Sequence, residues 1–337
     1  MPFHGCAWFL DELLYGGRLS GESVEAPLIE ISAGRSGSTQ IARYLESDPE
    51  LVAPNLLQIM IPYLWAWKLA RRFLNRDSVR EKARAKITAM MPPEAVERHE
   101  LDPFRTDTFD GALYSFHLNH LAPSLGPQTM IEDFNFAKSA AHNKELWEET
   151  FVALTDRIAR KTLLFARDTR EETPLRFFVK GHFLCGAEAL KRKYPDAVFL
   201  TVIREPAPRF KSAINYLRVN PSDPMLGPVP WSWLTKAILR TETDYCEVEK
   251  EWFGKQDGAN RCVIRFASFV EDLEGTMAKV YRDCLGRDTV PRHVPTAHPL
   301  RERQHYSVDR SLAELGISET ELNVRLTAYH EWCQQDS

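Results

Sequence analysis

Three short stretches of this sequence carry side chains that could act on an anion. The first is Gly34-Arg35-Ser36-Gly37-Ser38-Thr39, which follows the apolar run Pro27-Leu28-Ile29-Glu30-Ile31-Ser32. Glycines let the backbone approach a ligand closely, and the unpaired N–H groups at the start of a following helix attract negative charge. Ser36, Ser38 and Thr39 add hydroxyl donors and Arg35 adds a fixed positive charge, so the stretch reads as a phosphate cradle. A nucleoside-triphosphate loop would end in Gly-Lys-Ser/Thr. Here Gly37 is followed by Ser38, and the cation stands two residues before the glycine. The plainer reading is a glycine-rich turn with an N-capping serine.

The second stretch is Val202-Ile203-Arg204-Glu205-Pro206, followed by Arg209 and Ser212. A cation at a strand tip and a hydroxyl on the inward face of the next helix could reach one phosphate together. The alternative is a surface arginine and an unrelated helix-face serine. The third stretch, Phe177-Phe178-Val179-Lys180-Gly181-His182, sets Lys180 and His182 two residues apart where an apolar run ends. A hydroxyl nucleophile must lose its proton as it attacks, and an imidazole, which titrates near neutrality, suits that task. Its competitor is a histidine that merely caps the strand.

The elements that must position these residues show a repeating rhythm. Residues 27–32, 175–179, 197–203 and 261–266 are short apolar runs and read as strands. Helical patterns follow over 41–48, 187–191, 206–217 and 270–285, and further helical blocks are predicted at 56–90, 139–167, 232–254 and 318–333. Apolar strands alternating with helices predict a three-layer α/β domain around a central parallel sheet, in which ligands bind beyond the carboxyl ends of the strands. No Gly/Ser linker divides the chain, so residues 1–337 read as one domain. Within it, 27–55 and 174–219 read as the two anion-binding units, and 56–170 and 220–258 as largely helical insertions.

Arg35-Ser36-Gly37-Ser38-Thr39 resembles the loop with which sulfotransferases dependent on 3′-phosphoadenosine 5′-phosphosulfate (PAPS) grip the nucleotide 5′-phosphate. The Arg204 and Ser212 spacing resembles the 3′-phosphate site of that family, and Lys180-Gly181-His182 resembles its Lys-Thr-His motif. The resemblance covers roughly half the chain by this pattern reading. It implies the P-loop NTPase-like sulfotransferase fold, PAPS as co-substrate and 3′-phosphoadenosine 5′-phosphate (PAP) as product. It further implies Arg35, Ser36, Gly37, Ser38 and Thr39 on the 5′-phosphosulfate, Arg204 and Ser212 on the 3′-phosphate, His182 as base, Lys180 on the sulfuryl oxygens and Arg35 on the leaving phosphate. Two departures stand out. Gln40 occupies the place where cytosolic members often carry an adenine-stacking tryptophan, and Phe266-Ala267-Ser268 stands where many members have Tyr-Glu-Asp. Arg301, Arg303 and His305-Tyr306-Ser307 resemble a basic segment that closes over the nucleotide.

Composition narrows the partners. A formal charge of −4 over 337 residues argues against a nucleic-acid binder, and 44% hydrophobic with 27% charged residues fits a globular chain. The most apolar stretch, 56–69, is cut by Pro62 and is shorter than the roughly 20 residues that span a bilayer, so no stable membrane insertion is expected. The first residues do not read as a signal peptide, which points to a cytoplasmic protein. Cys6, Cys185, Cys246, Cys262, Cys284 and Cys333 are scattered, and reduced thiols are expected. His117 and His120, with Glu132 and Asp133 following, are too few for a convincing metal site, and sulfuryl transfer as outlined needs no metal. The resemblance implies that the acceptor meets the helical insertions 56–170 and 220–258, and their aromatic stretches 56–67, 104–120 and 231–233 suit a small, apolar or amphipathic hydroxyl (or amine) compound. Apolar pieces near the termini could pair in a homodimer. The competing functions are a P-loop kinase using ATP and magnesium, and a non-catalytic binder of adenosine bisphosphates.

Overall fold

The computed structural model describes residues 2–74, 76–89, 102–109, 144–169, 174–219, 231–292 and 310–335. Among them, β1 (Leu28–Ile31), β2 (Leu51–Val52), β3 (Arg176–Gly181), β4 (Val198–Ile203) and β5 (Arg261–Arg265) form one sheet in the order β2-β3-β1-β4-β5. Every pairing is parallel. β1 and β4 are buried throughout, as strands covered on both faces must be. Two ionisable residues break the apolar rule at the centre of the sheet. Glu30 of β1 and Lys180 of β3 are both buried and lie opposite each other in the register.

Alternation along the strands sends side chains to two different layers. Ile29, Ile31, Phe177, Val179 and Phe199 pack with residues of α6 (Lys144–Arg167), α7 (Ala187–Lys193) and α9 (Trp231–Gly254). Leu28, Phe178, Leu200, Val202 and Ile264 pack with α2 (Ser38–Leu45), α10 (Phe266–Glu271) and α11 (Leu273–Lys279). A third cluster joins α8 (Pro206–Val219) to α9, α12 (Glu319–Arg325) and α13 (Thr327–Gln334) through Phe210, Ile214, Ile238, Leu322 and Tyr329. The expected three-layer α/β architecture is therefore present.

The four predicted strands are found to within two residues, but the two-residue β2 and the first helix, α1 (Pro2–Gly21), were not foreseen. α1 is anchored by the acidic residue that interrupts its apolar run. Asp11, fully buried, accepts the N–H groups of Leu64 and Trp65 and pairs with buried Lys161 at 2.8 Å. Those two N–H groups open α4 (Leu64–Leu74), so Asp11 satisfies donors a helix start leaves unpaired. The helical block expected over 56–90 is three helices: α3 (Leu56–Met60), α4 and α5 (Asp77–Thr88). Pro62 separates the first two, and an Asn55/Gln58 capping box starts the first. The helix expected over 270–285 begins earlier, at Phe266, and restarts at Leu273, where Asp272 accepts the N–H of Gly275. A π-helical turn, Val280–Cys284, follows it.

The cysteine expectation needs correction. Cys262 of β5 and Cys284 of the π-turn, 22 residues apart, are joined in a disulfide, whereas Cys6, Cys185, Cys246 and Cys333 are free thiols. Spacing alone did not reveal the pair because the parallel sheet and the return of α11 bring the two Cα atoms to 5.7 Å. No helix among the described residues is long and apolar enough to cross a membrane.

Candidate active site

β1, β3, β4 and β5 all end at the same edge of the sheet, and the strand following β1 in sequence lies beyond β3 on one side of β1 while β4 lies on the other side of β1. Such a reversal opens a crevice at the carboxyl ends. The loop from β1 to α2 enters it. Gly37 is the N-cap of α2 with φ 101° and provides no side-chain cap, so the first N–H groups of the helix are not claimed by a capping side chain. A Cβ at this position would lie 2.5 Å from Cδ2 of Phe266. Glycine is required here both by conformation and by the ring pressed against it. Arg35 also has positive φ, 63°, the kind of backbone strain that accumulates at functional loops.

The loop residues do not all face the crevice as expected. Ser36 is fully buried and its hydroxyl donates to the Ala33 carbonyl at 2.7 Å, closing the turn from inside. Ser38 is buried at the first position of α2. Thr39 Oγ1 accepts from Lys180 Nζ at 3.2 Å. Arg35 turns toward α8, where its Nε donates to Ser212 Oγ at 3.0 Å. Arg204 donates from Nη1 to the Arg35 carbonyl at 3.0 Å. Two stretches some 170 residues apart in sequence are thus brought into one site, with the guanidinium of Arg204 also 4.4 Å from the centre of the Phe266 ring. Phe266 was read from the sequence only as a departure from Tyr-Glu-Asp. Its aromatic character was the available signal, since an arginine stacks on an aromatic face.

Lys180 is buried and held by Thr39, by Thr108 Oγ1 at 3.1 Å and by Asp107 Oδ1 at 3.7 Å. Asp107 and Thr108 lie in the described part of the segment expected to meet the acceptor, and buried Arg43 of α2 fixes that segment by donating to the Thr106 carbonyl at 2.7 Å. Sequence reasoning did not single out Asp107 or Thr108. His182 Nδ1 is 2.7 Å from the Ser32 carbonyl. A carbonyl only accepts, so Nδ1 carries the proton and Nε2 is the basic nitrogen of the neutral ring.

Arg209 is not part of this cluster. It is fully buried between α8, α9 and α13, donating to the Glu242 carbonyl and Cys246 Sγ at 3.0 Å each and to Tyr329 Oη at 3.3 Å, and pairing with the Glu242 carboxylate at 3.1 Å. Burial works against its charge, but Cys246, Tyr329, Glu242 and Glu249 around it hold its pKa well above the usual value. Burial raises the Glu249 pKa, Arg209 opposes the rise, and Thr201 and Tyr329 donate to the carboxylate at 2.5 and 2.6 Å. This buried network ties α8, which carries Ser212, to β4, whose end leads into Arg204.

The aromatic stretch 56–67 contributes less to a pocket than its composition suggested. Ile59 belongs to the core beneath the sheet, and Leu64 and Trp67 pack with Leu19 and Leu164. Among the described residues no group of three or more His, Cys, Asp or Glu is placed to hold a metal ion. His117, His120, Glu132, Asp133, Arg301, Arg303 and His305 lie outside the described residues.

The glycine-hinged loop after β1 is thus joined by the residue after β4 and, through Thr39, by Lys180 of β3. The profile of the Sulfotransferase family matches residues 27–288. The chain belongs to that family. The fold is similar to the crystal structure of sulfotransferase STF1 from Mycobacterium tuberculosis H37Rv, with a TM-score of 0.64 and 15% identity over 95% of this chain and 81% of that one. It is equally similar to sulfotransferase STF9 from Mycobacterium avium, with a TM-score of 0.64 and 15% identity over 94% and 79%. No curated protein sequence matches the chain. This sulfotransferase-family chain therefore has the P-loop-like sulfotransferase fold anticipated from its three stretches.

Proposed function

We propose that the protein transfers a sulfuryl group from PAPS to a hydroxyl, or an amine, of a small acceptor and releases PAP. The observation that carries this reading is the junction of Arg35 with Ser212 and Arg204, within one crevice that also holds Lys180 and His182. The donor's 5′-phosphosulfate would lie along residues 35–39, over the start of α2, and its 3′-phosphate near Arg204 and Ser212. Phe266, pressed on Gly37 and stacked with Arg204, offers an aromatic face where Gln40 offers none.

The acceptor oxygen attacks sulfur as the bond from sulfur to the 5′-phosphate oxygen breaks. Its proton passes to His182 Nε2, the nitrogen left basic by the Nδ1 contact with Ser32. Lys180 is within reach of Thr39 on the phosphosulfate loop and steadies the sulfuryl oxygens, while Arg35 neutralises the leaving phosphate. Fixed cations around a group in flight account for most of the catalysis in the analogous phosphoryl transfers. No ligand of this chain in the proposed reaction calls for a metal ion. The acceptor would enter past Asp107 and Thr108. A cytoplasmic setting belongs to the proposal, and the Cys262–Cys284 bridge weighs against a strongly reducing one.

Incubation with PAPS and a panel of alcohols, phenols and amines tests this reading. Acceptor-dependent release of PAP that is lost in Lys180→Ala and His182→Ala supports it. Release that survives both substitutions contradicts the assigned roles, and phosphoryl transfer from ATP–magnesium instead would favour a kinase.

A further inference from the structure

Glu30 is the one acidic side chain of the central strand, and it is fully buried at a position where its neighbours in register are Lys180 on β3 and Leu200 on β4. The same face holds Leu28, Phe178 and Val202, all in the apolar layer against α2. A carboxyl in such surroundings is costly unless its hydrogen bonds are made. One of its oxygens, Oε1, accepts from the Ser32 hydroxyl, and the other, Oε2, has no hydrogen-bond partner. An apolar residue would serve packing better at this place.

The Ser32 side of that bond leads into the active site. Ser32 Oγ accepts the Val202 N–H at 2.8 Å, beyond the last register pair of β1 with β4. The Ser32 carbonyl accepts the His182 Nδ1 proton at 2.7 Å. A hydroxyl has one proton, and Glu30 takes it. The lone pairs of Ser32 Oγ are thereby left for Val202, and the residue is fixed between two strands with its carbonyl aimed at the imidazole.

We infer that Glu30 is a positioning residue for His182, acting through Ser32 to fix the imidazole's orientation and the nitrogen that carries its proton. Partners one step removed from a working imidazole hold its tautomer in the same way at metal sites. The charged and titratable groups that act on Glu30 are Lys180, opposite it on β3, and Glu249 of α9. Burial raises its pKa to about 8, with Lys180 opposing the rise, so at neutral pH the carboxyl carries a proton and acts through its hydrogen bond. Glutamine, with an equivalent acceptor oxygen and no charge, is then the conservative replacement and leucine the disruptive one.

The inference rests on His182 being the base, and the test separates the two claims. Nitrogen-15 NMR of the His182 ring reads its tautomer without any turnover. The wild type and Glu30→Gln should both show a single neutral form protonated on Nδ1. Glu30→Leu and Ser32→Ala should show mixed tautomers. PAP release from PAPS, with a phenol as probe acceptor, should fall about 10- to 100-fold in Glu30→Leu and in Ser32→Ala, with KM for PAPS unchanged, and should stay within about threefold of wild type in Glu30→Gln. An unaltered tautomer in Ser32→Ala, which removes the same bond from its other end should Glu30→Leu not fold, overturns the inference. So does a loss in Glu30→Gln as large as in Glu30→Leu. Full turnover in His182→Ala would instead defeat the assignment of the base, whatever the tautomer shows.

Discussion

Replacing Gly37 by alanine perturbs the loop between β1 and α2, proposed to hold the phosphosulfate, at a single atom. The backbone there has φ 101°, a region in which an L-residue is penalised by roughly 1–2 kcal/mol. The added Cβ would also meet Phe266 Cδ2 at 2.5 Å and Cε2 at 2.7 Å. The ring cannot simply swing away, because Arg204 stacks on it at 4.4 Å and is itself tied to the Arg35 carbonyl. Forced overpacking of this kind costs about 1–3 kcal/mol. The two contributions give about 2–5 kcal/mol of destabilisation. For a chain of 337 residues the average unfolding entropy converts each kcal/mol into roughly 1.4 °C, so thermal unfolding should move down by about 3–7 °C. PAP binding, measured by calorimetry, should weaken at least tenfold as Phe266, Arg204 and the loop shift together. Phe266→Ala in the same chain should recover the steric share but not the conformational one, which a double-mutant cycle resolves. A Gly37→Ala protein with native unfolding temperature and native PAP affinity refutes this account of the loop, as does a cycle with no coupling.

Four further outcomes are expected. His182→Ala should lower turnover about 100- to 10,000-fold with PAP affinity unchanged, because a positioned base is worth that much; equal losses in both would make it a structural residue. Reduction of the Cys262–Cys284 bridge, or Cys262→Ser, should cost about 3 kcal/mol for a loop of this length, read as a fall of a few degrees in the unfolding temperature; no change with reductant would show that the bridge does not form in solution. Lys161→Met should remove the paired ammonium from buried Asp11 and destabilise the packing of α1 and α4 by about 3–5 kcal/mol; a native-like unfolding temperature contradicts that role. Glu30 should leave a mark on stability against pH. Its carboxyl titrates at about 8 when folded and near 4.5 otherwise, so its contribution is complete below about pH 4.5 and is lost as pH rises toward 8. Glu30→Gln, which does not ionise, should gain on the wild type over that interval by up to about 1.4 kcal/mol per pH unit, and a difference independent of pH would contradict it.

The sequence was most legible where chemistry and backbone coincide. Apolar runs leading into Arg204, into Lys180-Gly181-His182 and into the Gly34–Thr39 loop are each a strand followed by candidate site residues, and a parallel sheet must bring such tips to one edge. What could not be read were contacts between distant segments. Nothing near Arg35 indicates that it reaches Ser212, and nothing in the Phe266 surroundings places its ring on Gly37. Ser36 looked like a ligand donor because its type fits, whereas the turn needs its hydroxyl for Ala33. The aromatic and apolar residues of 56–67 looked like a binding wall, yet burial against α1 and α6 claims Leu64 and Trp67. Asp11 and Glu30 carried no signal, since one acidic residue in an apolar run has no meaning until its partner is known.

The measurement closest to the central claim is calorimetric titration of the protein with PAP and, separately, with ATP–magnesium, repeated on Arg204→Ala. The expected result is tight PAP binding that needs no metal and weakens at least tenfold in the variant, the share of a hydrogen bond to a charged group. Absence of PAP binding, or a preference for ATP–magnesium, would contradict PAPS-dependent sulfuryl transfer by this crevice.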